Sequence, residues 1–194
     1  MYKKYFKRFF DVAFGILFLV VVMIPGIVIA VLIKLTSKGP VFFVQDRFGQ
    51  HSKKFRIYKF RTMAVGTPSV ANQDFTNIDS YITPIGKILR ATSLDELPQI
   101  INILHGEMSF IGPRPLASTD IEVVEIRKTS GADQVRPGIT GLAQVKGRNL
   151  ITNEDKARFD FEYSTNVSLW LDVTIIFRTA TSVILRSGIN AQER

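Results

Sequence analysis

The chain has no cysteine and only two histidines in 194 residues. Without cysteine it forms neither disulfides nor thiolate metal sites. His51 and His105 lie too far apart in sequence to suggest a histidine-based metal site or triad, and each reads as a surface or capping residue. Acidic residues are nearly missing from the first third. Through Arg61 there are twelve Lys and Arg against two acids, Asp11 and Asp46, whereas the remainder carries thirteen cations against fifteen acids. The net charge of +8 therefore originates in the N-terminal third, where it flanks the most apolar segment. A membrane-anchored nucleic-acid binder would carry its cations across the globular part, which here is net acidic, so no nucleic-acid partner is expected. Anionic lipid headgroups account for the basic charge and the apolar run together. No internal repeat or low-complexity tract is apparent, and the length suits one domain with its own core.

Val12 to Ile33 is a run of 22 residues without a charge. At about 1.5 Å per residue such a helix just crosses a hydrocarbon core of about 30 Å. A signal peptide fits poorly, because the run is long and no small-x-small cleavage site follows. Two readings remain. Pro25-Gly26 near the middle withdraws the donor for the carbonyl of Val21, and the run holds no Ser or Thr to replace it. Both flanks are basic, with Lys3, Lys4, Lys7 and Arg8 before the run and Lys34 and Lys38 after it, so the positive-inside rule asks for both ends on one side. A re-entrant helix-break-helix with its break at Pro25 satisfies both features; a Pro-kinked spanning helix is the competing reading. The expected division is a membrane-inserted segment over residues 1–38 and a membrane-associated cytoplasmic domain over 39–194.

Past Gly39-Pro40, residues 41–48 and 55–62 read as two short strands joined by a polar turn. The second alternates apolar and basic residues, which places Arg56, Lys59 and Arg61 largely on one polar face, either solvated or phosphate-binding. Residues 64–83 read as an irregular loop. Helices are expected over 84–92, 95–104 (with Pro98 in the first turn), 118–129, 153–165 and 168–186. The last carries an apolar stripe of Trp170, Val173, Ile176, Phe177, Ala180, Val183 and Ile184, which suits either an interfacial helix or packing on the core. Residues 136–148 are Gly-rich and basic and read as a loop that brings backbone N–H groups and Arg side chains close to an anion. The expected class is α+β: a mainly helical domain with a short β-hairpin and interfacial amphipathic helices behind the membrane segment.

The chemistry-bearing residues are Asp95 and Glu96, which follow a basic stretch and precede the Pro-locked loop Gly112-Pro-Arg-Pro115. An acidic pair at a helix start is on its own a favourable dipole contact. Its setting makes it a candidate site for an anionic substrate.

The ordered set Lys7-Arg-Phe-Phe-Asp11, the Pro-containing apolar run, Tyr58-Lys-Phe-Arg-Thr-Met63, Thr92-Ser-Leu-Asp-Glu-Leu-Pro-Gln99, Gly106-Glu-Met-Ser-Phe-Ile-Gly-Pro-Arg-Pro115 and Arg136-Pro-Gly-Ile-Thr-Gly-Leu-Ala-Gln-Val145 resembles the bacterial sugar transferases, the monotopic polyprenyl-phosphate phosphoglycosyl transferases. Larger relatives carry a multi-helix membrane region in front, so this chain resembles the minimal catalytic form. Many members have Ser before the membrane Pro, where this chain has Ile24.

The resemblance implies transfer of a sugar-1-phosphate from a UDP-sugar to undecaprenyl phosphate on the cytoplasmic face of the bacterial inner membrane. That is the first membrane step in assembling a capsule, O-antigen, exopolysaccharide or glycoprotein glycan. It also implies Asp95 as nucleophile with Glu96 assisting, and Mg²⁺ held by the pair. Arg90, Arg114 and Arg136, then Lys59 and Arg61, are candidate phosphate contacts, since guanidinium can grip phosphate bidentately. Inner-membrane lipids are expected partners, and a dimer remains open. The competing class is a non-enzymatic membrane-surface scaffold in which Asp95-Glu96 only caps a helix.

Overall fold

A computed structural model describes residues 1–67, 78–147 and 151–184. The fold is α+β and mainly helical. A long helix, α1 (Lys7–Thr36), leads into a hairpin of β1 (Phe42–Phe48) and β2 (Lys54–Phe60). Then come α2 (Pro84–Thr92), a 3₁₀ segment (Leu94–Gln99), α3 (Ile100–His105), β3 (Ser109–Ile111) and α4 (Ile121–Ser130). The chain continues with β4 (Gly138–Thr140), α5 (Leu142–Lys146), α6 (Asn153–Thr165) and α7 (Leu169–Ile184).

The expected break at Pro25 is not made: α1 keeps helical backbone through it. A proline inside a helix costs about 3 kcal/mol, whereas a full break in an apolar setting exposes several unsatisfied backbone groups at several kcal/mol each. Absorbing the proline is the smaller penalty. Both ends of α1 are tied to the rest of the fold. At the start, Lys7 Nζ donates to Asp172 Oδ2 (2.7 Å), Arg8 donates to the Ile103 carbonyl (2.6 Å), and the buried Asp11 accepts from Ser109 Oγ (2.9 Å). At the far end, Ile29 and Ile33 pack with Phe60 and Leu89. Between them Leu17, Val20, Val21, Ile24 and Ile27 are all exposed, while Phe18 meets Phe110 edge-on.

The hairpin is antiparallel, with Gln45 opposite Ile57 and Asp46 opposite Arg56. Its inner face sets Phe55 and Ile57 against Ile100, Ile103 and Met108. Asn102 stitches this face down: its Nδ2 donates to the Arg56 carbonyl (2.7 Å) and its Oδ1 accepts from the Tyr58 amide (3.2 Å). The single polar face expected for Arg56, Lys59 and Arg61 does not exist. With a period of two, Arg56 falls on the opposite face and is exposed, while Arg61 is buried.

The helices over 84–92 and 153–165 have the expected bounds, each opened by a threonine cap: Thr83 Oγ1 accepts from the Gly86 amide and Thr152 Oγ1 from the Asp155 amide. The segment expected as a helix over 95–104 is 3₁₀ through Gln99 and α-helical only from Ile100. The Gly-rich segment expected to be a loop instead supplies β4, parallel to β3, and then α5. Gly112, Gly138 and Gly141 make this possible by close backbone approach. A Cβ on Gly112 would lie 2.3 Å from the Arg136 carbonyl, and one on Gly141 would lie 2.1 Å from the Gly112 carbonyl. Leu142 of α5 is then buried in a core with Ile111, Val135, Tyr163 and Ile175.

The stripe residues Trp170, Val173, Ile176 and Phe177 of α7 face outward. Trp170 is 80% exposed and Phe177 70%, while Asp172 and Ile175 turn inward. Within the loop 64–83, residues 68–77 lie outside the described residues, as do Arg148 and Arg186; the flanks of the loop meet in a Met63–Ile82 bridge.

Candidate active site

Asp95 and Glu96 sit at the junction of α2 and α3. Ser93 ends α2 in the left-handed region (φ 58°, ψ 18°) and starts the 3₁₀ segment that carries both carboxylates. A non-glycine residue there costs about 1 kcal/mol or more, so the turn is held by its surroundings. Those surroundings include Gly86, where a Cβ would sit 2.1 Å from the Thr62 carbonyl, so α2 rests directly on the strand exit after β2. Pro98 and Gln99, both buried, anchor the other side.

The two carboxylates have different neighbours. Lys59 Nζ donates to Glu96 Oε1 at 2.7 Å, and Arg114 Nη2 stands 3.8 Å from the same oxygen. Burial alone would raise the pKa of Glu96, but Lys59 and then Arg114 outweigh it and hold the group below its ordinary value. Asp95 has no ion-pair partner among the described residues. Burial raises its pKa; Lys59 pulls it down, Glu96 pushes it up and Arg90 pulls it down, and the net shift is upward. Arg90 is placed by its Nε, which donates to Thr62 Oγ1 (3.0 Å). Arg114 is placed through its backbone, because the buried Arg127 donates from Nη1 to the Arg114 carbonyl (2.9 Å) while gripping Asp160.

Beside Glu96 opens a shallow cleft lined by Arg47, Ile57, Lys59, Gln99, Arg114 and Ile139 among others. A second pocket, lined by Phe48, Val124 and Arg127 among others, contains neither carboxylate of the pair.

Five of the candidate residues are thus brought together: Asp95, Glu96, Lys59, Arg90 and Arg114. Two are not. Arg61 is buried and donates to the Lys38 carbonyl (2.6 Å) and to Ser37 Oγ (2.6 Å), so it clamps the exit of α1 rather than facing the carboxylates. Arg136 donates from Nε to the Gly106 carbonyl (2.8 Å) beside Arg8, at the end of α3. Arg47 is the cleft residue that sequence reasoning passed over, together with Gln99 below Glu96 and Arg127 behind Arg114. The only signal for Arg47 was strand parity, which sets it on the face of Lys59 once the hairpin register is known.

The bacterial sugar transferase family matches residues 2–186. This chain belongs to that family. It is 36% identical over 204 residues to the undecaprenyl-phosphate galactose phosphotransferase of Salmonella typhimurium, covering 95% of this chain and 42% of the relative. It is 41% identical over 181 residues to the UDP-glucose:undecaprenyl-phosphate glucose-1-phosphate transferase of Klebsiella pneumoniae, covering 90% of this chain and 39% of the relative. It is 35% identical over 200 residues to the exopolysaccharide production protein ExoY of Sinorhizobium fredii, covering 94% of this chain and 87% of that protein. The sugar transferase chain therefore spans about two fifths of the first two relatives and most of the third.

Proposed function

We propose that this sugar transferase moves a sugar-1-phosphate from a UDP-sugar to undecaprenyl phosphate and releases UMP, at the first membrane step of bacterial glycan assembly. The observation that carries the reading is the unequal carboxylate pair: Glu96 is locked among cations, while Asp95 stands unpaired beside it. The names of the relatives supply the donor and acceptor classes.

Asp95 is the nucleophile. A carboxylate oxygen forms a bond to the β-phosphorus and the bond from that phosphorus to the bridging oxygen breaks, so UMP leaves carrying the bridging oxygen. A phosphate oxygen of undecaprenyl phosphate then attacks the same phosphorus, the acyl-phosphate bond breaks, and the Asp95 carboxylate is restored. Arg90 and Arg114 offset charge on the phosphoryl oxygens. Lys59 holds Glu96 in place and adds positive charge beside Asp95. The pair fits Mg²⁺, a hard cation commonly held by one or two carboxylates with substrate phosphates completing its shell. Asp95 and the Glu96 oxygen not bonded to Lys59 would hold it, and when bound it supplies charge neutralisation to the diphosphate. The direct test is UMP release from a panel of UDP-sugars with Mg²⁺ and polyprenyl phosphate. Release with at least one sugar is expected; none with any would leave the scaffold reading.

On this reading both ends of α1 lie on one side of the plasma membrane, with the catalytic domain at its cytoplasmic face. A 30-residue helix is about 45 Å long. If it crossed the bilayer, its two ends would emerge on opposite faces of a core of about 30 Å. Both ends are bonded to one body, while the exposed apolar face between them remains for lipid. The outward stripe of α7, with Trp170, supplies a second apolar contact for the headgroup boundary. In this cysteine-free chain, Lys4→Cys and Lys38→Cys should both react with an impermeant maleimide from the cytoplasmic side only. Labelling from opposite sides would establish a spanning helix instead.

A further inference from the structure

Arg47 reaches the cleft from the strand opposite the one that carries Lys59. Its guanidinium donates from Nη2 to Gln45 Oε1 (2.6 Å), and its buried Nε has no hydrogen-bond partner. No carboxylate lies within ion-pair distance of it among the described residues. Burial, and next the neighbouring Arg114, disfavour its charge and outweigh the favourable pull of the more weakly acting Asp120 and Glu96. A partly desolvated guanidinium beside a second one, with a donor left over, is costly unless an anion joins it. The open cleft offers an anion three cations: Arg47, Lys59 and Arg114 line it against the carboxylate of Glu96, with Ile57, Pro115 and Ile139 as apolar wall. Asp95 is not among the cleft's lining residues, but Lys59, the cation that acts on it most strongly, is, and so is the adjacent Glu96. A donor whose β-phosphorus meets Asp95 can therefore direct its leaving half into the cleft.

We propose that Arg47 binds the phosphate of the departing nucleotide, acting as the arm that holds the nucleoside monophosphate half of the donor. This rests on the phosphoglycosyl-transfer reading above. The same phosphate chemistry is offered by the lipid acceptor, and separate constants for nucleotide and lipid distinguish the two sources.

The test compares wild type, Arg47→Gln, Arg47→Lys and Arg56→Gln. The last removes the same charge from the exposed outer face of the hairpin. KM is measured for the UDP-sugar and for undecaprenyl phosphate, together with the inhibition constant of UMP. Arg47→Gln should raise both nucleotide constants about tenfold or more, the size expected for one charge-assisted hydrogen bond. KM for the lipid should stay put, and Arg56→Gln should resemble wild type. Arg47→Lys keeps charge but loses the fork, and should fall between; it also serves if the Gln variant fails to fold. A shift in the lipid KM with unchanged nucleotide constants would assign Arg47 to the acceptor and overturn the proposal. So would unchanged constants throughout in an active enzyme of wild-type melting temperature. If wild type released no UMP from any sugar, the reaction assignment would fall. Calorimetric titration with UMP would then decide Arg47 alone: weaker binding by Arg47→Gln supports it, and equal or absent binding overturns it.

Discussion

Asp95→Asn should reduce turnover by about three orders of magnitude or more, since the amide cannot serve as the covalent nucleophile. Folding should survive, because the side chain has no ion pair to lose and the replacement keeps its size. The covalent route makes a stronger statement about order. UMP leaves before the lipid acceptor reacts, so initial rates should be ping-pong. Enzyme given a donor labelled in its β-phosphate, without acceptor, should retain label on the peptide containing Asp95 and release UMP in roughly stoichiometric amount. An acyl phosphate is labile, so the reaction is quenched in acid and analysed rapidly by mass. Active enzyme that showed neither adduct nor burst would require both substrates bound together, with Asp95 reduced to an electrostatic or metal-binding role.

The electrostatics around the pair add a sign that can be measured. The nucleophile works ionised, and the pKa of Asp95 is raised by burial and by Glu96. Activity should therefore fall, as pH drops, at values above the ordinary aspartate pKa of about 3.9. Glu96→Gln removes the repelling charge and frees Lys59, so the acid limb of kcat/KM should move to lower pH even as the maximum rate falls. A limb that stays put would mean that Asp95 is not the group being titrated.

The second large effect is on stability. Asp160 is 1% exposed and Arg127 7%, and both Nε and Nη2 of the guanidinium bond one carboxylate oxygen. Asp160→Ala leaves a buried cation without its partner and should destabilise by about 3–5 kcal/mol. For a domain of this size that lowers the melting temperature by about 6–20 °C. Arg127→Met combined with Asp160→Ala should recover part of the loss, because it removes the stranded charge. The single variant should also weaken donor binding, since Arg127 fixes the Arg114 carbonyl. A melting temperature within about 2 °C of wild type would show that the pair contributes little to folding.

What the chain determined through its own order is local. Pro84 behind the Thr83 cap and Asn153 behind Thr152 set helix starts that neighbouring residues can enforce unaided. The hairpin, the acidic pair before α3 and the long apolar helix were legible for the same reason: each is a pattern of adjacent residues. The tertiary structure decided what faces what. Arg61 and Lys59 look alike as alternating basic residues of one strand, yet the first meets Ser37 and Lys38 and the second meets Glu96. The parallel pairing of β3 with β4 depends on glycines that let distant backbones touch, and a three-residue strand has no periodicity to announce it. Pro25 reads as a break in sequence, but the cost of exposing backbone polar groups keeps the helix whole. Local preference chooses a conformation, while the partner of a charge, or the route of a backbone through a core, is set by residues far away in the chain.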